Sequence, residues 1–251
     1  MQPFFRIQRV AECASTSDEV KKWVKKEGVQ ANGRLLVTQH QTGGRGRRQP
    51  DWWSGSPHEN LAFSCAIAPP PRPAESLGLL AAVSMADVLA PLVSAEVALK
   101  WPNDILLNGK KVGGLLAEIP ATDGPPIAIL GIGVNVGQAP PQEIAPYPTT
   151  CVAHHTKYLP KPEAILNTWM ATFREKLLHY QAMGPHNFEA EFLRYLRQGA
   201  PFGVHESRSG ITGDLLEFSI REGLTWGSKH NSTTQPLGWI ATLHKLKKPA
   251  P

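Results

Sequence analysis

The chain of 251 residues carries 26 Lys and Arg against 21 Asp and Glu, a formal net charge of +5, and 41% of its residues are apolar. That composition is ordinary for a globular protein and leaves room for one large domain or a medium and a small one. No window is long and apolar enough to span a membrane, the first residues lack the basic start and apolar core of a signal peptide, and Cys13, Cys65 and Cys151 are too scattered for a disulfide framework or a metal site. A reducing, cytoplasmic setting is therefore expected.

In chain order, Ser17 or Asp18 caps a helix that runs to about Glu27, where Gly28 stops it. Val20, Trp23 and Val24 form its apolar side. Residues Arg34 to Thr38 read as a strand, and so do Leu61 to Ile67, ended by Pro69-Pro70-Pro71. Ala74 to Val93 reads as a long apolar helix whose small residues allow close packing on a sheet. Val97 to Trp101 is a strand closed by Pro102, which has no ladder donor. Asn108-Gly109 lies between apolar runs and predicts a type I′ hairpin, since both residues tolerate positive φ. Ile127 to Val136 is apolar almost throughout, as a strand buried on both faces would be. Ala139 to Pro148 is a proline-rich loop. Helical spacing returns in Ile165, Trp169, Phe173 and Leu177, and again in Phe188, Phe192, Tyr195 and Leu196. After Gly199 short strands are expected at Ile211 to Ile220, Gly223 to Trp226 and Gly238 to Leu243. They suit a barrel of about fifty residues, too small to stand without the larger domain.

Three segments carry chemistry. Gln41-Thr42-Gly43-Gly44-Arg45-Gly46-Arg47-Arg48 combines glycines, which let backbone approach a ligand, with arginines, whose planar donors suit carboxylate and phosphate. A solvated turn or a nucleic-acid contact has the same composition. In Lys100-Trp101-Pro102-Asn103-Asp104-Ile105 a lysine stands at a strand end beside a tight turn, placed to face a pocket or plain solvent. In Ile127 to Val136 the alternating Gly131 and Gly133 leave a groove on one face, with Asn135 polar on that face. A helix packed against the glycines would account for the same pattern.

Taken together and in this order, Gly-Arg-Gly-Arg-Arg, Lys-Trp-Pro-Asn-Asp-Ile with its Lys-x-Gly-Gly hairpin, and Gly-Ile-Gly-Val-Asn resemble the biotin–protein ligases. Ser15-Thr16-Ser17 adds a weaker fourth piece. The resemblance is strong over roughly residues 10 to 140. It implies an α+β fold, with a mixed β-sheet and packed helices in a catalytic domain (residues 1–198) followed by a small SH3-like β-barrel (199–251). It also implies ATP-dependent adenylation of biotin and transfer of biotin to a lysine of a biotin carboxyl carrier domain, with magnesium carrying the pyrophosphate.

A carboxylate and an α-phosphate repel each other, so such a reaction needs cations at the bridging oxygens. Lys100 is the first candidate for that role, with Arg45 and Arg47 next. The resemblance implies a biotin site of Ser15, Thr16, Ser17, Gln41, Gly44, Arg45, Gly46, Arg47, Lys100 and Gly114. The nucleotide side would use Arg47, Arg48, Trp52, Asn103, Lys111 and Asn135. Asp104 is the nearest candidate base for the incoming amine, or is structural. No protein ligand for a metal is singled out.

The chain departs from the pattern in places. After Arg48 come Gln49-Pro50-Asp51 in place of a Gly-Arg pair, which leaves open whether Trp52 or Trp53 packs on the adenylate. Ser17 stands where asparagine is common, and His58-Glu59 where glycine is. The Ser-Thr segment begins too early for the helix-turn-helix domain that repressor-type relatives carry, so operator binding is not expected. The cluster Lys21–Lys26 reads as a solvated helix face, and the tail that carries Lys245–Lys248 reads as frayed. A lipoate or octanoate transferase or ligase, or a non-enzymatic biotin-binding regulator, is the alternative reading. The arginine loop and the lysine motif are of the biotin type. The sequence fixes neither the acceptor protein nor the oligomeric state, and the Ile127–Val136 strand either pairs edge to edge in a dimer or is covered.

Overall fold

The computed structural model describes residues 4–46, 52–122, 124–145, 147–200, 203–207, 209–228, 231–237, 240 and 243–245. Its larger sheet has seven strands: β1 (Arg6–Cys13), β2 (Arg34–Gln41), β3 (Leu61–Ile67), β4 (Val97–Lys100), β5 (Asp104–Leu107), β6 (Lys110–Glu118) and β7 (Ala128–Val134). Their order is β1-β2-β3-β7-β6-β5-β4. Only the β1–β2 pair is parallel. Strand β7 therefore lies inside the sheet with both edges paired, as its unbroken apolar run demands. The β5–β6 turn has the expected geometry, with φ of 47° at Asn108 and 74° at Gly109.

Helices cover both faces. α1 (Thr16–Glu27) lies on one face, where Val20 and Val24 pack with Leu36, Ala66, Ile127 and Ile129. Its cap is Ser15, and not Ser17 or Asp18 as the sequence suggested. Ser15 is extended (φ −152°), and its Oγ accepts from Asp18 N at 3.3 Å. That frees Ser17 to point elsewhere. Asp18 and Glu19 in the first turn and Lys25 and Lys26 in the last complement the helix dipole.

The other face carries α2 (Ser76–Leu89), α3 (Pro162–Met183) and α4 (His186–Gly199). α2 is apolar nearly all round because it sits between the sheet and α3. In α3, Trp169 stacks on Phe173 at 4.7 Å and meets Phe63 of β3 edge-on at 4.8 Å. A half-buried polar knot joins the three helices: Lys176 bridges Asp87 and Glu191, and Tyr195 donates to Asp87.

The second sheet is antiparallel, in the order β11-β10-β9-β8-β12. It comprises β8 (Val204–Glu206), β9 (Thr212–Ser219), β10 (Gly223–Ser228), β11 (Asn231–Gln235) and β12 (Leu243–Lys245). A bulge at Thr225/Trp226 adds to its curl. One apolar core runs from the large sheet through α4 into this one, with Phe192 and Phe218 rings 4.6 Å apart. Of the expected strand Gly238 to Leu243, residues 238, 239, 241 and 242 lie outside the described set.

Candidate active site

The sheet brings three sequence-distant segments to one cleft of about 220 Å³. α1 supplies its floor from the helix N-terminus. Thr16 donates through both N and Oγ1 to Gln41 Oε1, at 2.8 and 3.0 Å. With its carbonyl so occupied, Gln41 is left its amide as a donor. Thr16 Oγ1 and Ser17 Oγ both meet Ser64 Oγ, at 2.8 and 2.9 Å. Ser64 escaped the sequence reading, yet a lone hydroxyl in the otherwise apolar Leu61–Ile67 run is itself a signal, since a buried hydroxyl needs partners.

β7 forms one wall. A Cβ on Gly131 would come within 2.6 Å of Ser17 Oγ, and one on Gly133 would overlap the indole carbons of Trp52. Gly131 thus makes room for the first turn of α1 with its Ser17 hydroxyl, and Gly133 for a flat ring. Trp52, and not Trp53, lies in this cleft. Its backbone N donates to Gly44 O at 2.8 Å, closing the base of the glycine-arginine loop.

The rim carries the charge. Lys100 ends β4 and stands opposite Asp104 across the strand pair. The Asp104 carboxylate is instead held by Lys111 Nζ at 2.6 Å. Burial works against the Lys111 ammonium, but Asp104 and the Tyr147 hydroxyl outweigh it and raise its pKa. Arg45 is paired as well, with Asp18 of α1. Among the described residues of the cleft, Lys100 is the cation without a carboxylate partner. Asn103, between Lys100 and Asp104, is locked by its side-chain bond to Leu115 O (2.7 Å) and by Leu115 N to its own carbonyl (3.0 Å).

A second cavity, of about 640 Å³, adjoins the first across Gln41, Trp52, Lys111 and Tyr147. Gly44 and Asn135 line this chamber and not the first. β7 ends at Val134, and the Asn135 amide turns to donate to Thr150 O at 3.1 Å. Its Oδ1 and the indole Nε1 of Trp52 are buried with no partner among the described residues, one an acceptor and one a donor. Tyr147 carried no sequence signal beyond being an aromatic among prolines.

Of the residues singled out from sequence, the first chamber gathers Ser15, Thr16, Ser17, Gln41, Arg45, Gly46, Trp52, Lys100, Asn103, Lys111 and Gly114. Arg47 and Arg48 lie outside the described residues. No group of three or more metal-ligating side chains occurs among the described residues, and none of their helices is long and apolar enough to cross a membrane.

The α+β scaffold thus brings together a hydroxyl floor, a glycine wall and, among the described residues, one rim cation without a carboxylate partner. Residues 12–135 match the pattern of the biotin/lipoate A/B protein ligase family. The chain is 35% identical over 151 residues to a biotin–[acetyl-CoA-carboxylase] ligase of Mycobacterium tuberculosis, covering 58% of this chain and 54% of that one. It is 34% identical over 147 residues to the Paracoccus denitrificans protein of the same name, covering 55% of this chain and 60% of that one. The chain thus spans little more than half the length of the curated relatives it matches. Among solved structures, a biotin protein ligase of Aquifex aeolicus in complex with biotin and ATP superposes with a TM-score of 0.80 at 26% identity, covering 96% of this chain and 99% of that one. The fold is that of the biotin protein ligases, with the small antiparallel sheet in the place of the SH3-like barrel.

Proposed function

We propose that this protein joins biotin to AMP at the expense of ATP and passes the biotinyl group to a lysine of a biotin carboxyl carrier domain. The observation that carries the reading is the unpaired Lys100 at the rim of a hydroxyl-floored cleft. Its ammonium is free to neutralise the carboxylate and the α-phosphate oxygen as they approach, the main electrostatic need of adenylation. Arg45 and Lys111 are each satisfied by a carboxylate, so among the described residues of the cleft the charge at the junction falls to Lys100.

The two chambers divide the substrates. The floor of Thr16, Ser17 and Ser64 hydroxyls with the Gln41 amide suits the polar ureido end of biotin. The apolar wall of Phe63, Leu115 and Ile132 suits its ring and chain. The second chamber takes the nucleotide. There the unpartnered Asn135 Oδ1 accepts from a ligand donor and Trp52 Nε1 donates to a ligand acceptor. Magnesium enters as part of the nucleotide substrate. Asp104 is engaged by Lys111, which suits a structural role better than that of a free base.

Residues 1–198 are read as the catalytic domain and 199–251 as the barrel. Pyrophosphate exchange with ATP, run in parallel with biotin, lipoate and octanoate, tests the reading. Exchange with biotin alone is expected. Exchange with lipoate or octanoate alone would move the chain to the other branch of its family.

A further inference from the structure

Asp18 has no part in the chemistry described so far, yet it holds the one loop arginine whose side chain the structure places. Its Oδ1 accepts from Arg45 Nη2 at 2.5 Å. The same carboxylate lies 3.7 Å from Lys21 Nζ, and Lys21 in turn bridges to Glu118 of β6 at 3.0 Å. Four charges of alternating sign thus tie the loop to α1 and α1 to the sheet. The other ties of residues 42–44 are backbone ones: Thr42 N to Cys13 O, Gly43 N to Ala14 O, and Gly44 O from Trp52 N. Arg45 and Gly46 line the cleft, and α1 supplies its floor from the turn that bears Asp18.

We infer that Asp18 is a positioning residue for biotin. It fixes residues 44–46 against the first turn of α1 through Arg45, and by neutralising Arg45 it leaves Lys100, among the described residues of the cleft, as the cation that meets the acid. The inference rests on the biotin ligase reading. It assigns the Arg45 side chain to holding the loop rather than to binding the anion. A network of this kind adds more than an isolated surface pair, and it weakens with salt.

The test is Asp18→Asn in the full chain, which removes the charge and keeps the shape. The expected result is a rise of about three- to tenfold in the Kd for biotin, with the turnover of biotin-dependent pyrophosphate exchange at saturating biotin within about twofold of the parent. Asp18→Glu should restore most of the affinity. The charge-swapped pair Asp18→Arg with Arg45→Asp should bind biotin more tightly than either single variant. Unchanged biotin affinity in Asp18→Asn would overturn the inference. So would a fall in turnover and Tm with affinity unchanged, or no recovery in the swapped pair. A second readout needs no biotin: exchange of the Trp52 amide hydrogen, bonded to Gly44 O, should quicken in Asp18→Asn. Quickened exchange in a protein that fails to activate biotin would sink the ligase reading and leave the Asp18 tie standing. Unaltered Trp52 exchange would sink the tie itself.

Discussion

A methyl group at residue 133 would occupy space already filled by the Trp52 indole. Gly133→Ala should therefore displace Trp52 and narrow both chambers, raising the KM for biotin at least about tenfold; an unchanged KM would remove Trp52 from the site. The Asp18–Arg45 pair makes a pH prediction. The hydrogen bond from Arg45 is the largest cause holding the Asp18 carboxyl below its usual range, with burial opposing it. A carboxyl whose pKa is lower in the folded state contributes stability above its unfolded pKa and loses it as pH falls through the lowered one. The Tm difference between parent and Asp18→Asn should thus be flat above the usual carboxylate range and shrink as pH falls through and below that range. Because both partners are more than a third exposed, the difference should be small. Cys65 is fully buried, and burial pushes its thiol pKa far up. It should resist alkylation until the protein unfolds, and rapid labelling of the native protein at Cys65 would contradict the core position given to it.

At the scale of the element, α3 seals the core face of the large sheet through one aromatic stack. Trp169→Ala removes contacts to Phe173, Phe63 and Phe5 and opens a cavity, which should cost about 3–5 kcal/mol in urea unfolding. A loss below about 1 kcal/mol would mean that the helix collapses onto the sheet without it. The elements legible in the sequence were those with a single strong pattern. Leu61–Ile67 is a strand to the residue because all seven of its side chains are buried. The Asn108-Gly109 turn was plain because both residues need positive φ. β1 was missed because it is an edge strand whose Arg-Ile-Gln-Arg-Val-Ala-Glu-Cys run buries no side chain fully and so shows no period. β11, Asn231–Gln235, is wholly polar and half-exposed for the same reason. The helix cap was displaced by two residues because serine, threonine and aspartate stand in a row at 15–18, and only backbone geometry chooses among them.

At the scale of the molecule, the two sheets share a core. Trp101, next to Lys100, donates its indole N–H to Ile240 O at 3.2 Å, and Arg197 of α4 donates to the carbonyls of Leu215 and Leu216. The barrel therefore braces the hairpin that bears the rim lysine. Phe218→Ala should lower the Tm of the whole protein while calorimetry still shows one transition; a separate early transition would mean that the small sheet melts alone. Much of the site could be read from sequence because its residues sit in short motifs. What could not be read were the pairings that decide charge. Asp104 faces Lys100 in register but is claimed by Lys111, and Arg45 is claimed by Asp18, 27 residues before it in the chain. Which cation is left free is a property of the folded arrangement.

Formation of biotinyl-AMP by Lys100→Ala beside the parent protein is the most direct measurement, with circular dichroism to show that both are folded. A loss of about a hundred- to a thousandfold in the rate, with the Tm unchanged, is expected of a group that neutralises charge at the reacting oxygens. Adenylation at the parent rate would contradict the role given to Lys100 and, with it, the division of labour among the cleft's cations.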